Sequence, residues 1–257
     1  MGRWIGRWYR IVPSDELAMN LALIGYGKMG QQVERCALER RHSIQMIANG
    51  QWDSASLKGV DLAIEFSRPE AAFENVTKCL RAGVAVVSGT TGWNDKIPAA
   101  EMLCNELGGS FLFASNFSIG VNLLFALNKW LAERMNGQAG FAPELQETHH
   151  KHKLDAPSGT AIRLAEDLIQ AVDRMDQWVI GHATAGSILP IEAKREGEVP
   201  GTHRVTYRSA TEELSLQHVA KDRVVFAEGA VMAAEWLMGR TGCFRMSDVL
   251  NFNPKGS

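Results

Sequence analysis

The stretch Asn20-Leu21-Ala22-Leu23-Ile24-Gly25-Tyr26-Gly27-Lys28-Met29-Gly30 decides the fold. Its first half is a short apolar run that reads as a buried strand, and its second half spaces three glycines as G-x-G-x-x-G. The apolar period then changes. Met29, Val33, Cys36 and Ala37 fall at i, i+4, i+7 and i+8, one face of a helix. Strand, glycine turn and helix in that order form a cradle for a dinucleotide, because unpaired N–H groups and the dipole at a helix N-terminus attract a pyrophosphate that a side chain would hold off. Gly25 supplies the turn, Gly27 the close approach and Gly30 the helix–strand contact, with Tyr26, Lys28 and Met29 between them. An acidic residue about 20 positions on would bind the ribose of NAD. That place holds Ala48-Asn49-Gly50, with Asp53 beyond it. Asn49 is therefore assigned to the nucleotide site, Lys28 can meet a 2′-phosphate, and the choice between NADH and NADPH stays open.

Outward from this turn, strands are expected at 43–48, 60–66, 84–87 and 111–114. Helices are expected from a capping pair at Ser67 and Glu70, with Pro69 in the first turn, and around 96–107. Alternating strands and helices predict an α/β fold with a Rossmann-type, doubly wound parallel sheet. After Ser115-Asn116-Phe117 the texture changes to a long helix ending near Met135, a strand at 144–149 and a helix from Ser158. Strands follow in which Val205, Tyr207, Leu214 and Leu216 alternate with polar residues. That alternation predicts a smaller α+β domain with a mostly antiparallel sheet. The expected division is an extension over 1–18, a dinucleotide-binding domain over 19–117 and 227–257, and a substrate-binding and oligomerisation domain over 118–226.

The 257 residues are 46% hydrophobic and carry 27 basic against 29 acidic side chains, enough apolar content for real cores. A net charge of -2 argues against a nucleic-acid partner, and no run approaches a membrane span. The scattered Cys36, Cys79, Cys104 and Cys243 have no metal-ligand spacing and read as small buried hydrophobes in a reducing, cytoplasmic compartment. Trp130, Trp178 and Trp236 read as core or interface, and His203 and His218 as structural or surface residues. Arg195 reads equally as a carboxylate fork and a solvated loop residue.

The densest polar constellation runs from Glu147 to Thr160: Glu-Thr-His-His-Lys-His-Lys-Leu-Asp-Ala-Pro-Ser-Gly-Thr. A solvated basic loop is one reading. A zinc site built from Glu147, His149, His150 and His152 is another, although neighbouring histidines on a strand point to opposite faces. The third is a proton-transfer and anion-binding site: histidine titrates near neutrality, and Lys153 can donate a proton or hold a carboxylate. Ser158 can cap a helix whose Gly159 and Thr160 N–H groups receive a second anion.

This segment, with Gly89-Thr90-Thr91-Gly92, Ala114-Ser115-Asn116-Phe117-Ser118 and the stretch from Arg195 to Thr202, resembles the 4-hydroxy-tetrahydrodipicolinate reductase family over about 19–252. The resemblance implies NADH- or NADPH-dependent reduction of a cyclic hydroxy-imine dicarboxylate, with loss of water, on the diaminopimelate route to lysine. It implies His149 as acid/base and Lys153 as proton donor. His150, Lys153, Ser158, Gly159 and Thr160 would hold the substrate. Cofactor contacts would fall on Gly25–Gly30, Asn49, Gly89, Thr90, Thr91, Ala114, Ser115, Asn116 and Phe117, with no metal, in a homotetramer. Two features depart from the family pattern: a glycine turn one residue shorter than in well-known members, and Asn49 in the acidic position. The rival readings are another two-domain dehydrogenase and a non-catalytic nucleotide sensor.

Overall fold

A computed structural model describes residues 18–182 and 186–252. Of the extension expected over 1–18, only Ala18 falls within them. The chain forms two compact units, one of residues up to Ser115 with Ala230–Arg245, the other of Asn116–Gly229 with the residues from Met246 on. The sequence reading had kept 227–257 together with the first.

The first unit alternates β1 (Asn20–Ile24), α1 (Lys28–Glu39), β2 (Ser43–Ala48), β3 (Leu62–Glu65), α2 (Pro69–Arg81), β4 (Ala85–Ser88), α3 (Ile97–Glu106) and β5 (Ser110–Phe113). Its six-stranded sheet is parallel throughout in the order β2-β1-β3-β4-β5-β11, where β11 (Gly242–Phe244) is a short strand the sequence reading did not contain. Strand order reverses at β1, so the glycine turn leaves its carboxyl end at the switch point, where open α/β sheets bind ligands. Residues 21–24 of β1 are almost fully buried, as a strand covered on both faces must be. One local expectation fails. Arg68, not Ser67, is the N-cap of α2 and makes no side-chain cap bond, because the Ser67 hydroxyl is committed to the buried Glu65 carboxylate.

The second unit holds α4 (Ile119–Met135), β6 (Ala142–His149), α5 (Gly159–Ala171), β7 (Gln177–Ile180), β8 (Ile188–Arg195), β9 (Gly201–Arg208), β10 (Glu213–Ala220) and the four-residue α7 (Met246–Val249). Its five-stranded sheet runs β10-β9-β6-β8-β7. The β10–β9 and β9–β6 pairs are antiparallel, whereas β6–β8 and β8–β7 are parallel. The sheet is thus mixed where a mostly antiparallel one was expected, since α5 carries the chain over from β6 to the parallel side. Leu145, Leu164, Leu168, Ile191, Val205 and Tyr207 fill its core.

Helix α6 (Val224–Leu237) crosses the division. Near its start a Cβ on Gly229 would lie 1.9 Å from the Phe117 carbonyl oxygen, so glycine alone permits that approach. Further along, Glu235 takes a two-pronged bond from Arg40, at 2.7 and 2.5 Å, and lies 3.0 Å from His42 Nε2. Burial alone would raise the Glu235 carboxyl, but these His42 and Arg40 contacts outweigh it and hold it down at about 2.

Candidate active site

In the first unit the three glycines do three different things. Gly25 has φ +89°, and a Cβ there would lie 2.1 Å from the Phe66 carbonyl oxygen. A Cβ on Gly30 would lie 2.3 Å from the Gly25 oxygen, so α1 can start this close to β1 only without a side chain. Gly27 is the opposite case: a Cβ would meet nothing within 4 Å, and Gly27 is also the N-cap of α1, without any side-chain cap bond. The open side of the turn is therefore bare backbone at a helix N-terminus, as a pyrophosphate requires. A cavity of about 640 Å³ adjoins it, lined among others by Gly25, Gly27, Asn49, Trp52 and Arg68. These features fit a dinucleotide. Lys28 and Asn49 are exposed and Tyr26 and Met29 half-buried, with the Tyr26 hydroxyl bonded to Glu34.

Glu65, fully buried at the end of β3, organises the neighbouring loops. Its carboxylate accepts from Ser88 Oγ at 2.6 Å and Thr90 Oγ1 at 2.8 Å, and from the Ser67 hydroxyl and amide. This fixes Gly89, Thr90 and Thr91 at the carboxyl end of β4. Gly89 is glycine for a steric reason, since a Cβ would lie 2.1 Å from the Phe66 ring. Ala114 is buried after β5, its N–H donating to the Ser88 carbonyl at 3.2 Å, and Ser115 is exposed beside it. Among the described residues Glu65 is a hub that the sequence reading missed.

In the second unit the strand–turn–helix from β6 to α5 brings the histidine–lysine residues together. Ser158 caps α5, its Oγ accepting from Ala161 N at 3.2 Å. The Gly159 and Thr160 N–H groups then lie in the first turn, without intrahelical acceptors, and a Cβ on Gly159 would meet nothing within 4 Å. Asn116 Nδ2 lies 3.5 Å from Thr160 Oγ1, and Phe117 is buried. Lys153 is largely covered and pairs with Asp155 at 2.8 Å. His149 ends β6 facing inward, its ring edge-on to His203 with centroids 5.1 Å apart, while His150 turns away and accepts a 2.8 Å bond from Arg223 on Nε2. Partial burial and the Arg223 charge lower the His150 pKa.

Glu147 and its partners were not legible as a group. Glu147 is buried, and both its oxygens accept from the Ser158 N–H, at 3.0 and 3.1 Å. Arg195 donates to it at 3.0 Å, and His149 Nδ1 lies 3.3 Å away. Burial opposes ionisation, but the His149, Ser158 and Arg195 contacts prevail and set the carboxyl at about 2. Arg195 is thus a buried-carboxylate partner rather than a solvated loop residue. His203 is buried and shares a 3.1 Å bond with Ser158 Oγ, and burial, reinforced by His149, pulls it down to about 3. The zinc reading fails on geometry for His150 and His152, which leave the strand. Glu147, His149 and His203 do cluster, with ligand atoms within 4.8 Å of one another, yet the guanidinium at 3.0 Å already meets the carboxylate's charge and repels a divalent ion. Trp130, expected as core or interface, is 56% exposed on α4 under the Arg134 guanidinium.

A glycine-turn dinucleotide cradle in one unit, and in the other an ammonium, two buried imidazoles and an open helix N-terminus, define a pyridine-nucleotide-dependent oxidoreductase. The family models described as dihydrodipicolinate reductase, N-terminus and C-terminus, match residues 19–117 and 120–250. The chain is 45% identical over 235 residues to the 4-hydroxy-tetrahydrodipicolinate reductase of Christiangramia forsetii, covering 91% of this chain and 98% of that one. It is 38% identical to the protein of the same name from Neisseria meningitidis serogroup B, covering 77% and 76%. A solved structure, dipicolinate-bound dihydrodipicolinate reductase from Paenisporosarcina sp. TG-14, superposes with TM-score 0.73 at 20% identity, covering 89% of this chain and 97% of that one, and so shares the fold. The chain belongs to the dihydrodipicolinate reductase family.

Proposed function

We propose that the chain reduces 4-hydroxy-tetrahydrodipicolinate to tetrahydrodipicolinate, with loss of water, through residues of the β6–α5 segment, as its family membership supports. NADH or NADPH, when bound, supplies a hydride to the electrophilic ring carbon. The protein's own tasks are orientation, electrostatics and proton supply. The first-turn amides Gly159 and Thr160, with Ser158 and His150, hold the substrate carboxylates. Lys153 balances their charge and delivers the proton that completes the reduction. His149 serves as acid/base for the loss of water. The nucleotide is held along Gly25–Gly30, by Asn49, by Gly89–Thr91 and by Ala114–Phe117. Asn49 presents no carboxylate to exclude a 2′-phosphate, which supports use of both nucleotides. The working form is a cytoplasmic homotetramer.

The observation that supports this reading is the open helix N-terminus at Gly159, whose capping Ser158 is held through its N–H by the Glu147 carboxylate that also lies 3.3 Å from His149 Nδ1. A coupled assay tests it: dihydrodipicolinate synthase makes the unstable substrate in situ, and NADH or NADPH absorbance is followed. Synthase-dependent oxidation is expected with both nucleotides. Nucleotide binding without oxidation would leave a sensor.

A further inference from the structure

Among the described residues of the second unit Glu147 is the one carboxylate that is fully enclosed, with its side chain 0% exposed, and its four partners come from four elements. It stands on β6 directly opposite His203 on β9. Arg195 reaches it from the end of β8 and the Ser158 amide from the start of α5, while His149 sits two residues along its own strand. The backbone amide that opens the anion-binding turn is thus fastened to the carboxylate beside which the ring expected to move protons stands, His149 Nδ1 lying 3.3 Å from one of its oxygens.

His149 Nδ1 is buried, and the Glu147 carboxylate is the acceptor it faces. At 3.3 Å the carboxylate is within reach of Nδ1, although the two make no aligned hydrogen bond. Gly201 stands beside the ring's opposite edge, where a Cβ would come within 3.1 Å of Nε2 and 3.4 Å of Cδ2, so glycine leaves that edge its room. His203 closes another side edge-on. With His203 on one side, a carboxylate beside Nδ1 favours the tautomer with the proton there, leaving Nε2 as the free base.

We infer that Glu147 is a positioning residue, holding His149 as the Nδ1–H tautomer while it anchors the Ser158 amide, so that acid/base group and carboxylate cradle keep a fixed spacing. The inference rests on the assignment of His149 as acid/base. Arg195 keeps Glu147 ionised and occupied from behind, and the Ser158–His203 bond ties the cap to the same cluster.

The test combines a wild-type measurement with a mutant cycle. Nitrogen-15 spectra of histidine-labelled wild-type protein, with the signal assigned by its loss in His149→Ala, should show His149 protonated on Nδ1 in the neutral ring. Protonation on Nε2 instead overturns the inference without any change to the cluster. In steady-state kinetics Glu147→Gln should lower kcat on the order of 100-fold, because an amide facing Nδ1 stabilises the wrong tautomer. NADH affinity, read by fluorescence, should stay unchanged. Glu147→Asp, keeping the charge, should recover part of the loss. In the His149→Ala background Glu147→Gln should add no more than about twofold, the error of simple additivity. Full additivity would mean that Glu147 acts independently of His149 and would overturn the inference. If His149→Ala alone kept full kcat, the acid/base assignment would fall instead.

Discussion

At the residue scale the site is a problem of where charges are kept. Lys153 is paired with Asp155 at 2.8 Å in a largely covered position. Lys153→Ala is expected to cut kcat by about 10²-fold or more while the NADH dissociation constant stays put. A titration in which NADH binding disappeared together with turnover would contradict that role. The buried Glu147 and His203 make a second prediction, in stability. His203 ionises at about 3 when folded against 6.5 in the free side chain, so the unfolded chain takes up the proton first and stability declines as pH falls below about 6.5. Glu147 goes from 4.5 to about 2, so its contribution is complete above about 4.5 and disappears as pH falls towards 2. For Glu147 a displacement of that size corresponds to about 3 kcal/mol at neutral pH. The melting temperature should fall in two stages, on the order of 10 °C in all, and His203→Gln should flatten the first. A melting temperature level from about pH 7 to pH 4.5 in the unaltered protein would refute this. The sequence made His149, Lys153 and Ser158 visible because they share one short segment. That the carboxylate fork open to Arg195 and the structural His203 both meet Glu147 was hidden, because only the register of β8 and β9 against β6 brings them there.

At the scale of elements the glycine turn separates two kinds of necessity. Gly30 is required by the fold, since a Cβ would meet the Gly25 oxygen at 2.3 Å, whereas Gly27 faces open space. Gly30→Ala should therefore lower the melting temperature and the yield of folded protein. Gly27→Ala should lose only a few degrees of melting temperature, the cost of alanine at the N-cap of α1, yet bind NADH at least tenfold more weakly, a loss of about 1.4 kcal/mol. Equal NADH affinity in Gly27→Ala would remove the turn from the binding site. The strands β1 to β6 and the helices between them were legible because their apolar residues repeat with the period of each element and their ends carry turn residues. The helix from Ser158 and the alternating strands β9 and β10 were legible in the same way, whereas β7, β8 and β11 were obscured for identifiable reasons. Strand β8 contains Pro190, which argues against a strand, and β7 and β11 are only four and three residues long. Ser67 looked like a cap because nothing local betrays Glu65, which takes its hydroxyl. The mixed character of the second sheet is likewise a matter of connection, not of local pattern.

At the scale of the whole molecule the second unit carries exposed apolar side chains at both edges of its sheet and on α4. Its five-stranded sheet ends at β7 on one edge, with Val179 and Ile180 36% and 48% exposed, and at β10 on the other, with Leu214 and Val219 44% and 50% exposed. Open strand edges bearing aliphatic side chains invite pairing with other chains unless an assembly covers them. On α4, Leu123, Leu127 and Trp130 follow one another at helical spacing on an exposed face. With a net charge of only -2, long-range repulsion does little to keep such surfaces apart. Closed symmetric assembly is the usual way to cover such edges, and the homotetramer proposed above is one such assembly. Light scattering on the eluting peak of a sizing column should give about four times the 28.3 kDa chain mass. Charged substitutions at Leu214 and Val219 should lower that mass, leaving each chain's own cores intact because these side chains lie outside them. A single 28.3 kDa species at micromolar concentration would show that the exposed edges serve something other than self-association.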